Sequence, residues 1–438
     1  MVRRLATSLR RCIAAMALGL AAGTALASPA AAPCPAGVPT DARCLSGRDE
    51  AGAWYWIALP ADWNGTLVLH AHGGPELGPP EAARSAQDLA RWAVMVKAGY
   101  AWAGSTYRQG GVEVRAAAED TERLRRIFVA EVAKPRRIVL HGQSWGASVA
   151  AKGAEMHPGA YDGVLLTSGV LGGGTRSYDF RLDLRVIYQA VCGNHPRADE
   201  PAYPLWQGLP PSATLTHAEL ARRVDECTGV SRPRALRTSA QQRRLDTLLA
   251  TVRIPERSLV GHLGWGTWHF QDIVFKRLGG RNPFGNEGAR YTGSPDDAAL
   301  NAKVARYRAD PQAVARFAED SDLNGRIAVP VLTMHAIDDP IAFVELESVF
   351  RDTMERGGSG ARLVQTYTDE HEHSKLSEAE YPALMEALLA WIERGEKPTA
   401  QAIAQRCSAL DTRYGGGCRF VADYRPGSLD SRVAPRTR

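Results

Sequence analysis

From about residue 53 the chain alternates short apolar, β-rich runs with segments of helical spacing. Trp54–Leu59 reads as a strand and Asn64-Gly65 as a hairpin-type turn. Thr66–His70 reads as a buried strand, Ser85–Ala98 as a helix and Tyr100–Ser105 as the next strand. The rhythm continues with an amphipathic helix over Ala116–Ala133, a strand at Arg137–His141, a helix at Ala147–Met156 and a strand at Gly163–Thr167. Strands alternating with helices in this way predict an α/β fold, a mostly parallel sheet covered by helices on both faces.

The alternation then stops. Residues 175–326 are rich in Gly, Pro, Trp and charge, with helical stretches near 217–228, 235–253 and 296–318. It resumes with a strand at Val329–Met334, a helix near 341–356, a strand at Arg362–Tyr367 and a helix at Ser377–Arg394. This pattern predicts a core in two parts, 28–174 and 327–398, interrupted by a large, mainly helical lid over 175–326. A tail over 399–438 follows, and no internal repeat is present.

Composition excludes several classes. With 438 residues, 45% hydrophobic and 23% charged, the chain is neither disordered nor collagen-like, nor a multi-span membrane protein. Residues 1–27 combine an arginine-rich start, an apolar run from Ile13 and the small-x-small site Ala25-Leu26-Ala27, the pattern of a secretory signal peptide. Ala-Ala-Pro before Cys34 lacks the large apolar residue of a lipid-anchoring site, so the expectation is a soluble protein exported to a periplasm or the medium. Removing Arg3, Arg4, Arg10 and Arg11 with the leader lowers the net charge from +5 to +1. A near-neutral chain gives no electrostatic case for nucleic acid or an anionic membrane as partner.

Apart from Cys12 in the leader, six cysteines remain, an even number that suits disulfides in an oxidising compartment. Short loops close most easily, which favours the local pairs Cys34–Cys44, Cys192–Cys227 and Cys407–Cys418.

The chemistry concentrates at Arg137–Ala150, RIVLHGQSWGASVA, where an apolar strand runs into Gly142-Gln143-Ser144-Trp145-Gly146 and then a helix. G-x-S-x-G in that context places a serine on a turn so tight that its Oγ stands clear of the sheet, with glycines where backbones pass closely. Upstream, LVLHAHGGP ends a strand in His72-Gly73-Gly74. There the Gly74 N–H, together with the N–H of Trp145, could receive an oxyanion. Downstream, VPVLTMHAIDDP offers Asp338 and Asp339, and LVQTYTDEHEHSKLS offers His371 and His373, each just past a strand. The order Ser, Asp, His at one edge of a parallel sheet suits a nucleophile, an orienting acid and a base.

These features resemble the α/β-hydrolase superfamily over roughly residues 53–394 without the insertion. The resemblance implies an acyl-enzyme serine hydrolase. Its H-x-x-x-D-P pattern, counted from His335, selects Asp339 as the triad acid. Secreted esterases of the tannase and feruloyl-esterase kind often carry G-H-C-x-F-T before the last helix. His373-Ser374-Lys375-Leu376-Ser377 matches that segment best and selects His373, although Glu372 and Ser374 stand where Gly and Cys are usual. HGGP with G-x-S-W-G also resembles proline-iminopeptidase-like peptidases, but Glu76 follows Pro75 where those continue with Gly, and the insertion lacks an acidic cluster for a free amine.

The expected function is therefore cleavage of small or oligomeric carboxylic esters by Ser144, Asp339 and His373, with no cofactor or metal and a serine aminopeptidase as the alternative. A metallohydrolase built on His70, His72, His371 and His373 would leave the serine turn unexplained, and a non-catalytic binding protein would be expected to lack a triad member. Tyr107 and Arg108, after the strand ending near Ser105, are candidate substrate contacts, with Arg108 suited to a carboxylate. Trp265 and Trp268, in GHLGWGTWHF, are candidates for a pocket wall.

Overall fold

The computed structural model describes residues 29–374 and 376–436; the leader expected over 1–27 lies outside the described residues. Nine strands form one sheet: β1 (Ala30–Ala31), β2 (Arg43–Arg48), β3 (Trp54–Leu59), β4 (Thr66–Ala71), β5 (Ala101–Ser105), β6 (Arg137–Gln143), β7 (Gly163–Thr167), β8 (Val331–Ala336) and β9 (Leu363–Thr368). Their spatial order is β1-β2-β3-β5-β4-β6-β7-β8-β9. The first three pair antiparallel, β3 lies antiparallel to β5, and β4 to β9 run parallel.

Strands β4, β5, β7 and β8 are buried at every residue. Covered on both faces, they appear in sequence as continuous apolar runs. Successive side chains still divide between the faces. Leu67, Leu69, Leu140 and Val164 share one cluster with Leu124 and Val149 of the helices Val114–Ile127 and Trp145–Met156. Val68, Val139, Leu165 and Leu332 share the other with Val94, Leu384 and Leu388 of the helices Ala93–Lys97 and Glu380–Arg394.

Four expectations change. Asn64-Gly65 is a turn but not a hairpin, because β5 lies between β3 and β4. The Asn64 side chain accepts from the Thr66 N–H at 2.9 Å, and Gly65 takes φ +86°, which turns the chain without pairing its flanks. The helix expected over 85–98 is two, Ala82–Arg91 and Ala93–Lys97, meeting at Trp92. The stretch 296–318 also divides, into Asp297–Lys303 and Pro311–Ser321. Pro311 opens the second helix under an Asp310 cap that accepts from the N–H groups of Gln312 and Ala313. Finally, the helices Asp179–Cys192, Leu259–Gln271 and Ala400–Tyr414 and strand β2 were not foreseen.

Between β7 and β8 the chain builds a helical region whose apolar cluster, with Leu182, Tyr188, Leu245, Leu248, Leu263 and Phe270, also takes in Phe343, Leu346 and Leu429 from later in the chain. The sulfurs of Cys34 and Cys44, Cys192 and Cys227, and Cys407 and Cys418 lie at bonding distance. No described helix is long and apolar enough to cross a membrane.

Candidate active site

Strand β6 ends at Gln143, and Ser144 takes φ 58° before the helix Trp145–Met156 begins. Both motif glycines are forced. A Cβ at Gly142 would stand 2.3 Å from the Gly146 carbonyl oxygen, and one at Gly146 would stand 2.1 Å from that of Ala71. With these contacts the turn packs against the end of β4. Ser144 is fixed by its N–H donating to the Thr167 carbonyl at 2.9 Å, while its own carbonyl accepts from Val170 at 3.1 Å. Tyr107, Ser168 and Ser374 also hold positive φ (61°, 49° and 58°), so strained backbone gathers past the ends of β5, β7 and β9, beside the elbow.

The Ser144 Oγ lies 2.7 Å from His373 Nε2, and His373 Nδ1 lies 2.7 Å from Asp339 Oδ2. Asp339 can only accept, so Nδ1 carries the proton and the Nε2 lone pair faces the serine hydroxyl. The other Asp339 oxygen accepts from the N–H groups of Ile341 (2.8 Å) and Ala342 (3.0 Å). Burial alone would raise the Asp339 pKa, but His373, His335 and the Ile341 N–H prevail and hold it below the ordinary carboxylate value. His335, also buried, donates from Nε2 to the Ala342 carbonyl at 2.7 Å and faces Glu347 through Nδ1 at 3.3 Å. Burial works against its charged form, but Glu347 and Asp339 outweigh burial and raise its pKa.

The base loop is tied to the elbow directly. Gln143, just before the serine, donates from Nε2 to the Ser374 Oγ, just after the histidine. Arg91 holds the Ser374 carbonyl at 2.7 Å. Sequence analysis passed over Gln143, whose contact spans 231 positions and has no local signal.

Across the elbow, the Gly73 carbonyl accepts from His72 Nδ1 at 2.9 Å and Arg84 at 3.2 Å. A trans peptide turns its N–H away from its carbonyl, so the Gly74 N–H points away from Arg84. A Cβ on Gly73 would come within 3.0 Å of the Ser144 Cβ. The N–H groups of Gly74 and Trp145 donate to no acceptor among the described residues. The latter sits at the positive end of its helix. His72 stacks on Tyr107 at 4.2 Å, and burial lowers its pKa to about 4.

No known protein family and no curated protein matches the chain. Among solved structures, feruloyl esterase B from Aspergillus oryzae shows 14% identity at TM-score 0.43, covering 85% of this chain and 86% of that one. A second esterase from Aspergillus oryzae shows 14% identity at TM-score 0.44, covering 85% of each chain. A monoacylglycerol lipase from Paleococcus ferrophilus shows 12% identity at TM-score 0.34, covering 78% of this chain and 98% of that one. At these values the likenesses carry no argument. The architecture rests instead on its own sheet: a parallel run crossed by β5 and β4, an antiparallel flank, and a serine elbow leaving the central β6 for a helix. This is the α/β-hydrolase fold.

In such a fold the segment between β7 and β8 can cover the sheet edge, and here two histidines of the helix Leu259–Gln271 reach it. His262 Nε2 donates to the Pro340 carbonyl at 2.8 Å, next to Asp339, and His269 Nε2 donates to the Pro75 carbonyl at 2.9 Å, next to Gly74. Burial keeps both neutral, with pKa lowered to about 3 and about 4, and nearby Arg181 adds to the effect. Trp265 lies on the same helical face, stacked on His269 at 4.6 Å and on Tyr178 at 4.3 Å. Gly266 allows this, since its Cβ would stand 3.2 Å from Arg185 of the neighbouring helix Asp179–Cys192.

The remaining candidates fall elsewhere. Trp268 stacks on His217 at 3.6 Å, inside the helical region. Tyr107 packs edge-on to Trp145 at 6.0 Å, but Arg108 is occupied by Glu119 and Asp120 and offers no open guanidinium. His371 pairs with Asp338 at 2.8 Å in an exposed position. The four histidines weighed as metal ligands do not converge. His70 Nδ1 faces His141 at 3.0 Å, His72 turns to Gly73, and the other two each pair with a different aspartate.

Proposed function

We propose that the protein is a serine hydrolase that cleaves carboxylic esters through an acyl-enzyme. The observation that carries this reading is the unbroken hydrogen-bonded line from Ser144 Oγ through His373 to buried Asp339. His373 Nε2 takes the hydroxyl proton as Oγ attacks the ester carbonyl, and Asp339 stabilises the imidazolium. The free N–H groups of Trp145 and Gly74 receive the tetrahedral oxyanion. His373 then passes its proton to the departing alkoxide. Water, deprotonated by the same Nε2, attacks the acyl carbon and releases the acid, returning the proton to Ser144.

The helical region 175–326 acts as a lid over this edge, and the chain works outside the cytoplasm, where its three cysteine pairs stay oxidised. An aminopeptidase fits less well. Recognition of a free substrate amine needs an acid near the serine, whereas the roof presents the cation Arg181. Turnover of short 4-nitrophenyl esters by Ser144→Ala tests the proposal. A fall of about 10⁴-fold or more in kcat with an unchanged Tm is expected, and near-normal turnover would reject it.

A further inference from the structure

We propose that Arg181 binds a carboxylate of the substrate, so that the ester cleaved at Ser144 carries a free carboxylate on its acyl or its alcohol side. This inference rests on the serine-hydrolase reading. Among the described residues three arginines are buried: Arg181, Arg185 and Arg223. Arg185 donates to the carbonyls of Leu205 and Gly208 and to Thr267, and Arg223 pairs with Glu200 and Glu219. Arg181, only 4% exposed, makes no side-chain hydrogen bond and no ion pair with any described residue. It is surrounded instead by the rings of Trp265 (4.2 Å), Phe180 (4.6 Å) and Tyr178 (5.5 Å).

Such a cation is costly to hold. Burial lowers its pKa only to about 10, so it stays charged at neutral pH. Aromatic faces recover part of the lost hydration but satisfy none of the five N–H donors. An isolated buried charge is normally paired or neutralised. One without an internal partner is suited to an external partner.

Its position fits that use. Tyr178, which holds Trp265 from one side, lies near Trp145, next to the serine, with no hydrogen bond between their side chains. His262 and His269 anchor the same roof beside Asp339 and Gly74, and both lie within the field of Arg181. The guanidinium therefore belongs to the same covering helices whose histidines meet the residues beside Asp339 and Gly74. A single positive charge among neutral groups calls for a single negative one. A planar carboxylate matches the fork of a guanidinium, whereas a dianionic phosphate would leave a buried charge uncompensated.

Two matched pairs of esters test this and separate the two sources of the carboxylate. 4-Nitrophenyl hemiglutarate against its methyl ester probes the acyl side. 3-Acetoxybenzoate against methyl 3-acetoxybenzoate probes the alcohol side. The wild-type protein should favour the carboxylate in one pair by about tenfold or more in kcat/KM, the worth of one charged hydrogen bond. Arg181→Met should abolish that ratio and Arg181→Lys should retain part of it. Should Arg181→Met fail to fold, the wild-type ratio decides alone. A protein that a fluorophosphonate labels at Ser144 but that shows no preference in either pair overturns the assignment, as does an Arg181→Met variant that keeps the ratio. Absence of both labelling and turnover would instead bring down the hydrolase reading, and this inference with it.

Discussion

Two aspartate–histidine pairs stand side by side where β8 and β9 end. Asp339 and His373 are 2.7 Å apart, Asp338 and His371 2.8 Å. In distance and residue type they are equivalent, but in surroundings they are opposites. The Asp339 side chain is fully buried and that of His373 only 20% exposed, whereas Asp338 and His371 are 62% and 64% exposed. The buried pair ends on the Ser144 hydroxyl and is braced by the N–H groups of Ile341 and Ala342. Water surrounds the other, where an ion pair is worth little. A matched pair of residue types is thus only the beginning of a site. What separates the two is which pair the elbow meets.

Substitutions at equivalent positions put that contrast to the test. The largest effect is expected for the buried histidine. His373→Ala should lower kcat by about 10⁴-fold, while His371→Ala changes it by less than about twofold, measured with the same 4-nitrophenyl ester. Equal losses would erase the distinction. Asp339→Asn should cost nearly as much, because an amide nitrogen facing Nδ1 favours the wrong tautomer, and Asp338→Asn should be almost silent. The pair also has a pH signature. Asp339 is held below its unfolded pKa, so its contribution to stability is complete above about pH 4 and is lost as pH falls through the folded value. Melting curves between pH 6 and 3 should therefore show a steeper acid loss in the wild-type protein than in Asp339→Asn.

A smaller effect tests the link between elbow and base loop. Gln143→Ala removes the hydrogen bond to Ser374 and should lower kcat by about tenfold with KM little changed, since misplacement of the base affects the reacting geometry. A rise in KM alone would mean that the contact shapes the binding site instead. Smallest for catalysis is Cys192→Ser with Cys227→Ser. It opens a loop of 35 residues within the helical region and should cost about 3–4 kcal/mol of stability while kcat stays within about twofold.

The sheet and its edge were legible because each parallel strand is a short apolar run closed by a chemical signal: His-Gly-Gly, Gly-x-Ser-x-Gly, Asp-Asp-Pro, His-x-His. In the helical region, His217–Thr228 and Ser239–Val252 were legible, but the two helices Asp179–Cys192 and Leu259–Gln271 were not. Asp179–Cys192 places Arg181 and Arg185 among apolar residues, so a buried helix with charges inside lacks the polar face that a sequence reading looks for. Leu259–Gln271 has three glycines and hardly any amphipathicity, because polar His262 and Thr267 are buried while Val260, Trp265 and Trp268 are less so. The spacing of His262, Trp265 and His269, three and then four residues apart, was the one available sign that a single helical face meets the site. Arg108 drew attention as a carboxylate ligand because it follows a strand. Its acidic neighbours, Glu119 and Asp120, are eleven and twelve positions away on the next helix, beyond the range of a local pattern.

The most direct measurement is peptide mapping after exposure to a fluorophosphonate, for the wild-type protein and His373→Ala. The account predicts one adduct per chain, on Ser144, forming at least about 10²-fold more slowly without His373. An adduct on a different residue, or labelling of Ser144 that is indifferent to His373, would contradict it.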